Sequence, residues 1–158
     1  MKFIKRLLKF IFATSDYRVS IYISLIAKCK KKNYKILGVI LTRMLQRNYG
    51  VFISYETIFD NTLLLRHPVG IVIGEGVRLG KNITIFQNVT VGRSDTTIAE
   101  YPTVGDNTII YSGAVLLGNI VIGENCIIGA NSVVTKSIPA NSIVVGIPAR
   151  IIGEKRIN

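Results

Sequence analysis

From residue 53 onward, apolar residues recur every six positions. Ile73, Leu79, Ile85 and Val91 keep that spacing, and after an interruption Val104, Ile110, Leu116, Ile122, Ile128 and Val134 resume it. Ile53, Phe59 and Leu65 extend the series backward. Four residues after each apolar position stands another apolar or small one (Val77, Ile83, Val89, Ala114, Ile120, Cys126, Ser132, Ile138), so both sets point inward. A strict six is not the alternation of a β-sandwich, whose strands come at wider spacing. Three such units close one triangular coil of a parallel β-helix, each side a short strand and each corner a turn. Glycine often follows the apolar position, at Gly74, Gly80, Gly92, Gly105, Gly123 and Gly129. A corner with positive φ would explain it.

Two irregularities break the period. Leu65 to Ile73 is two residues too long, which predicts a bulge near Pro68 to Gly70. Between Val91 and Val104 the excess predicts an extruded loop over 93–103. In repeat proteins such departures gather on a binding face.

Residues 1–50 follow another pattern. Lys2 to Ala13 alternates basic residues with Phe3, Leu7, Leu8 and Ile11 at helical spacing. Thr14-Ser15-Asp16 offers a cap for a second helix to about Lys32, and Asn33 separates a third over about Tyr34 to Asn48. The fold expected is mainly β, with a helical segment over 1–50, a β-helix of about five coils over 51–153 and a tail over 154–158.

The formal charge of +11 lies in the first segment, which holds twelve Lys and Arg against Asp16 alone. The remainder balances eight basic against eight acidic residues. The basic helices read either as a cap over the open first coil or as a peripheral membrane contact through residues 1–35. No recognisable reading motif accompanies the charge, so nucleic acid is not expected as a partner. Cys29 and Cys126 are far apart without metal-type spacing, which suits a reduced, cytoplasmic setting with Cys126 packed in the core. The apolar stretch Val19 to Ala27 is too short to span a bilayer.

The stretch from about residue 50 to 153 resembles hexapeptide-repeat acyltransferases, and within them the serine acetyltransferase branch. Arg66-His67-Pro68-Val69-Gly70-Ile71-Val72-Ile73-Gly74-Glu75 is similar to that branch's motif around its catalytic histidine. Ile85-Phe86-Gln87-Asn88-Val89-Thr90-Val91-Gly92, Ser112-Gly113-Ala114 with Leu117-Gly118-Asn119-Ile120, and Val145-Gly146-Ile147-Pro148-Ala149-Arg150 match in order and spacing. The resemblance implies a left-handed β-helix, acetyl-CoA as co-substrate without a required metal, and a homotrimer with the active site between neighbouring β-helices. It also implies that His67 is the general base.

The departures concern the acceptor. Arg66 stands where the family has an Asp that receives the serine amine. Glu100-Tyr101-Pro102 stands in place of an Arg-His-Pro that helps hold the serine carboxylate. Phe52 aligns with an Asp that orients the imidazole. The chain is therefore closest in character to transferases that acetylate capsular or exopolysaccharide sugars. A sugar hydroxyl is the expected acceptor, with serine as the alternative and a non-catalytic β-helix module as a third reading.

Proton removal from an alcohol suits an imidazole titrating near neutrality. His67 is the one histidine of the chain, which excludes a three-histidine metal site on the same fold. It lies two positions after Leu65, as Gln87 does after Ile85 and Ser112 after Ile110, and the repeat stacks these three in a column. A surface histidine near a turn would be the bland reading, but the bulge, column and motif together outweigh it. Gln87 and Ser112 form either a substrate track or a solvated ladder, and Glu75 either orients His67 or closes a corner. Arg66, Gln87, Glu100 and Tyr101 are the acceptor-binding candidates. Ser112, Gly113, Ala114, Gly129 and Ala130 are small enough to lie beside a pantetheine arm, and a backbone N–H there could meet an oxyanion. Lys136 and Arg150, with Lys155 and Arg156 near them, are candidates for the CoA phosphates.

Overall fold

The structure is a computed structural model that describes residues 14–95, 97 and 99–155. The helix expected over Lys2 to Ala13 lies outside the described residues. Helix α1 (Ser15–Lys31) starts at Thr14, whose Oγ1 accepts from the Tyr17 N–H at 3.4 Å. Asp16 in its first turn and Lys28, Lys30 and Lys31 in its last complement the helix dipole. Asn33 turns the chain with φ of 57° into α2 (Lys35–Tyr49). That helix stops at Gly50, left-handed at φ 63°, whose N–H returns to the Gln46 carbonyl.

Beyond Gly50 the chain winds through short strands that stack into three faces. The first face orders β1 (Phe52–Ile53), β3 (Val72–Ile73), β6 (Thr90–Gly92), β9 (Val115–Leu117) and β12 (Val133–Val134). The second holds β4 (Arg78–Leu79), β7 (Thr103–Val104) and β10 (Val121–Ile122), extended at its ends by single bridges from Ile58 to Arg78 and from Ile122 to Ile138. The third holds β2 (Leu64–Leu65), β5 (Thr84–Ile85), β8 (Ile109–Ile110), β11 (Ile127–Ile128), β13 (Ser142–Val145) and β14 (Arg150–Glu154). Pairing between coils is parallel, as in Val72 with Thr90 and Ile109 with Ile127. The 5-stranded first face counts the coils of a left-handed parallel β-helix.

Both inward sets are buried. Ile73, Leu79, Ile85, Ile122 and Ile128 line the interior together with Val77, Ile83, Val89, Ala114 and Cys126. The inward hydroxyls are paired: Thr57 Oγ1 donates to the Gly74 carbonyl at 2.8 Å and Thr108 Oγ1 to that of Gly123 at 3.1 Å. Burial pushes the Cys126 thiol pKa up, and both cysteines are free.

The glycines have a different role from the one their positions suggest. None of the six is among the positive-φ residues; left-handed turns fall instead at Asn82, Asn88, Asn107, Asn125, Asn131 and Asn141, and at the other glycines Gly70, Gly113, Gly118 and Gly146. Asparagine tolerates this region because its short side chain bonds locally. What most of the glycines supply is clearance between coils. A Cβ on Gly123 would lie 2.4 Å from the Ala140 nitrogen, and one on Gly105 2.6 Å from that of Glu124.

Two boundaries also shift. Thr103 belongs to β7, so the extruded loop closes at Pro102. Glu154, read as the start of a tail, pairs with Ser142 because β14 folds back antiparallel on β13; Lys155 follows it, its N–H on the Asn141 carbonyl and its Nζ on that of Asn107 at 3.3 Å. The added strand covers the open edge of the last coil.

The helices cover the other end. Val19, Ile23, Ile26 and Leu45 continue the interior cluster through Val51 and Ile53. Lys30 ties the two together: its ammonium donates to the Thr57 carbonyl and lies 5.1 Å from the ring centroids of both Tyr55 and Phe59. Burial lowers its pKa, with Glu56 opposing.

The corner geometry is testable. Replacing Asn125 by Ala should cost about 1–2 kcal/mol in urea unfolding, the penalty of a Cβ residue without local bonding in the left-handed region. Asn125→Gly should be close to neutral.

Candidate active site

The two-residue bulge carries the histidine in an unusual backbone state. His67 has φ of 48°, and it is followed by buried Pro68 and left-handed Gly70. Holding a histidine there costs on the order of 1–3 kcal/mol. One compensation comes from α1: Asp16 Oδ1 accepts the His67 backbone N–H at 3.0 Å. The other carboxylate oxygen, Oδ2, lies 3.7 Å from Arg66 Nη1. A single acid thus fixes the backbone of the histidine and draws its neighbouring cation aside.

These groups line one cleft of about 650 Å³, bounded by Thr14, Ser15, Asp16 and Arg18 of the α1 start, Asn48 and Tyr49 of the α2 end, and His67, Pro68 and Val69 of the bulge. Nothing in the local sequence predicts the contact between Asp16 and the bulge. Its one signal was that Asp16 is the lone acid in a basic segment.

Around the β-helix the remaining candidates divide between two edges. His67, Gln87, Ser112, Gly129 and Ala130 all follow third-face strands and lie on the edge leading to the first face. The register aligns Leu65, Ile85 and Ile110, two positions before His67, Gln87 and Ser112. The imidazole contact differs from a simple column, because the His67 ring lies 6.3 Å from that of Phe86, which in turn stacks on Tyr111 at 5.0 Å. Gln87 Oε1 is buried with no hydrogen-bond partner among the described residues.

Glu100, Tyr101, Glu75 and Lys136 lie on the next edge, between the first and second faces. Tyr101 donates its hydroxyl to Glu75 Oε1 at 2.6 Å, and that bond raises its pKa. Its ring sits over Gly76 and near Arg93. Within one chain, then, Glu100 and Tyr101 do not join the His67 cleft, and Glu75 holds Tyr101 instead of orienting the imidazole.

The small corner residues are explained by stacking. A Cβ on Gly113 would lie 2.1 Å from Asn131 Oδ1, and one on Gly129 2.6 Å from Val145 Cγ1. Ala114 is buried. The N–H groups of Gly113, Ala114 and Gly129 donate to the carbonyls of Gln87, Tyr111 and Val144, which commits those three amides and removes them as oxyanion donors. Lys136 is exposed and away from this edge, while Arg150 starts β14 with its Nη1 on the Ala149 carbonyl at 3.0 Å. Lys155 is engaged by the last coils, and Arg156 lies outside the described residues.

Residues 101–136 match the family model for bacterial transferase hexapeptide (six repeats). Among curated proteins no sequence matches the chain. Solved structures do. The serine acetyltransferase of Brucella abortus strain S19 is 33% identical with a TM-score of 0.76, over 85% of this chain and 55% of that one. Its structure in complex with coenzyme A covers 96% and 61%, at 29% identity and TM-score 0.82. The serine acetyltransferase of Neisseria gonorrhoeae is 34% identical with a TM-score of 0.75, over 84% and 52%. The chain belongs to the hexapeptide-repeat, left-handed β-helix proteins, in the serine acetyltransferase-like branch. It spans between 52% and 61% of the length of these three structures.

Removing the Asp16 carboxylate should loosen the bulge. Asp16→Ala is expected to cost roughly 1 kcal/mol, the scale of a partly exposed charge-assisted hydrogen bond. Asp16→Asn, which keeps an acceptor for the His67 N–H, should lose less. Equilibrium unfolding of the two variants checks this.

Proposed function

We propose that the chain is an acetyl-CoA-dependent O-acetyltransferase with His67 as general base. The observation that carries the reading is the placement of the one histidine, held on a strained bulge at the mouth of a cleft and on the same edge as the small-residue corners at 112–114 and 129–130. In this reading the pantetheine arm runs along that edge, in line with a related structure solved in complex with coenzyme A. The imidazole takes the acceptor's hydroxyl proton as the oxygen attacks the thioester carbonyl carbon. As the carbon–sulfur bond breaks, the imidazolium returns the proton to sulfur, leaving an acetyl ester and CoA.

The similar structures are serine acetyltransferases and favour L-serine as the acceptor. The cleft adds to this an anion beside the base, Asp16, whose other oxygen lies near Arg66 at its margin. Asp16 partly answers the loss of the acid at position 66, while the place of the carboxylate-holding Arg-His-Pro is still taken by Glu100-Tyr101-Pro102. A sugar hydroxyl is the second reading, favoured by the stacked rings of Phe86 and Tyr111 below His67, a flat apolar surface suited to a pyranose. The loop over 93–102 and the exposed apolar pair Phe52 and Val72 on the first face suit a neighbouring copy, and we propose a homotrimer that brings the two edges together. The proposed setting is cytoplasmic, consistent with two free, buried cysteines.

CoA release measured with L-serine beside glycan acceptors decides the acceptor; no release with any of them, and no binding of acetyl-CoA, would leave a non-catalytic module. His67→Ala should lower turnover by roughly 10²–10⁴-fold with acetyl-CoA affinity nearly intact, the share a general base contributes. A wild-type rate for that variant between about pH 6 and 9 would remove His67 from the mechanism. Sedimentation should give a trimer, and a fully active monomer on dilution would contradict the shared site.

A further inference from the structure

The outer face of α2 is apolar and is left uncovered by the described residues. Gly38, Thr42 and Leu45 turn inward, while Ile36, Ile40 and Met44, four apart and so stacked on one side, are exposed by 80%, 48% and 42%, with Leu37 beside them at 50%. Tyr34 continues the stripe to the tip of the helical hairpin, where Asn33 to Leu37 and Ile40 enclose a shallow hollow. An isoleucine with four-fifths of its surface in water on a folded helix calls for a partner.

The charges around the stripe say of what kind. Lys28, Lys31 and Lys32 are exposed at the end of α1, Lys35 opens α2, and Arg43 and Arg47 border the stripe on the same helix. Lys35 pairs with Glu56 at 3.1 Å. Between residues 17 and 50 the sequence has no acid, and Asp16 lies at the opposite end of α1, bound to Arg66. A second copy of this face would set cations against cations. An anionic bilayer satisfies both features at once, taking the aliphatic side chains into its acyl boundary and the Lys and Arg side chains to its headgroups. No helix among the described residues is long and apolar enough to cross a membrane, so the contact is peripheral.

We propose that the α2 face, Tyr34 to Met44, docks on an anionic membrane surface. This moves the contact from residues 1–35 to the second described helix. It is independent of the acceptor.

The test is co-sedimentation of the full chain with phosphatidylcholine vesicles containing or lacking about one-third phosphatidylglycerol, with circular dichroism to verify folding. Binding is expected to the anionic vesicles and to fall at least tenfold on neutral ones and in high salt. Ile36→Ser with Ile40→Ser should reduce anionic binding at least tenfold with helix content and CoA release unchanged, and Lys31→Gln with Lys32→Gln should weaken it in the same direction. Absence of binding to anionic vesicles overturns the proposal. Binding unchanged in the double serine variant overturns it as well, since the attraction would then come from charge elsewhere. Concentration-dependent self-association abolished by the serine variant, without vesicle binding, would make the face an interface between copies and would equally overturn it.

Discussion

A coil of this β-helix cannot stand alone, and the requirement that each coil stack in register on the next governs the rest of the structure. Its sides are strands of two or three residues, whose N–H and C=O groups find partners in the coils above and below. Its inward side chains complete a core only in a column. Stacking therefore dictates where a Cβ is tolerated. It removes the side chain at Gly105 and Gly123, and it sets asparagine at the left-handed corners.

The same constraint explains where function can enter. A stacked column admits extra residues only where they leave the wall, and the chain does so at the His67 bulge and at the loop over 93–102. The bulge places a histidine in a backbone region it would otherwise avoid, and a residue fifty-one positions earlier holds it there. The candidate site is thus a seam between two modules: the β-helix supplies the histidine and the edge beneath it, and the start of α1 supplies the acid that holds the histidine's backbone. The helical segment is more than a lid over the first coil.

Charge and apolar surface are also segregated. The net charge lies in residues 1–50, while the remainder of the chain is balanced. At the seam, Asp16 neutralises Arg66. At the far tip of the hairpin the cations stand around exposed aliphatic side chains, a combination that a catalytic cleft does not need. The two ends of α1 consequently differ in character, one ion-paired and the other cationic and apolar.

The coil architecture was written in the sequence, because a period of six leaves the inward positions no other face to occupy. The same holds for the bulge, the loop, the cap at Thr14 and the stop at Gly50, each set by residues near it in the chain. The alignment of Leu65, Ile85 and Ile110 beneath the candidate site followed from the repeat alone. What the sequence did not determine were contacts between residues distant in the chain: Asp16 on the backbone of His67, Lys30 on the Thr57 carbonyl, and Tyr101 on Glu75. The role of the glycines was hidden for the same reason, since the atoms they must avoid belong to the neighbouring coil. The separation of Glu100 and Tyr101 from His67 came from the triangular cross-section, which sends successive irregularities to different edges. Periodicity is a property of neighbours along the chain, and it fixes the wall. The meeting of one corner with one helix end depends on how two modules pack, and only the tertiary structure decides that.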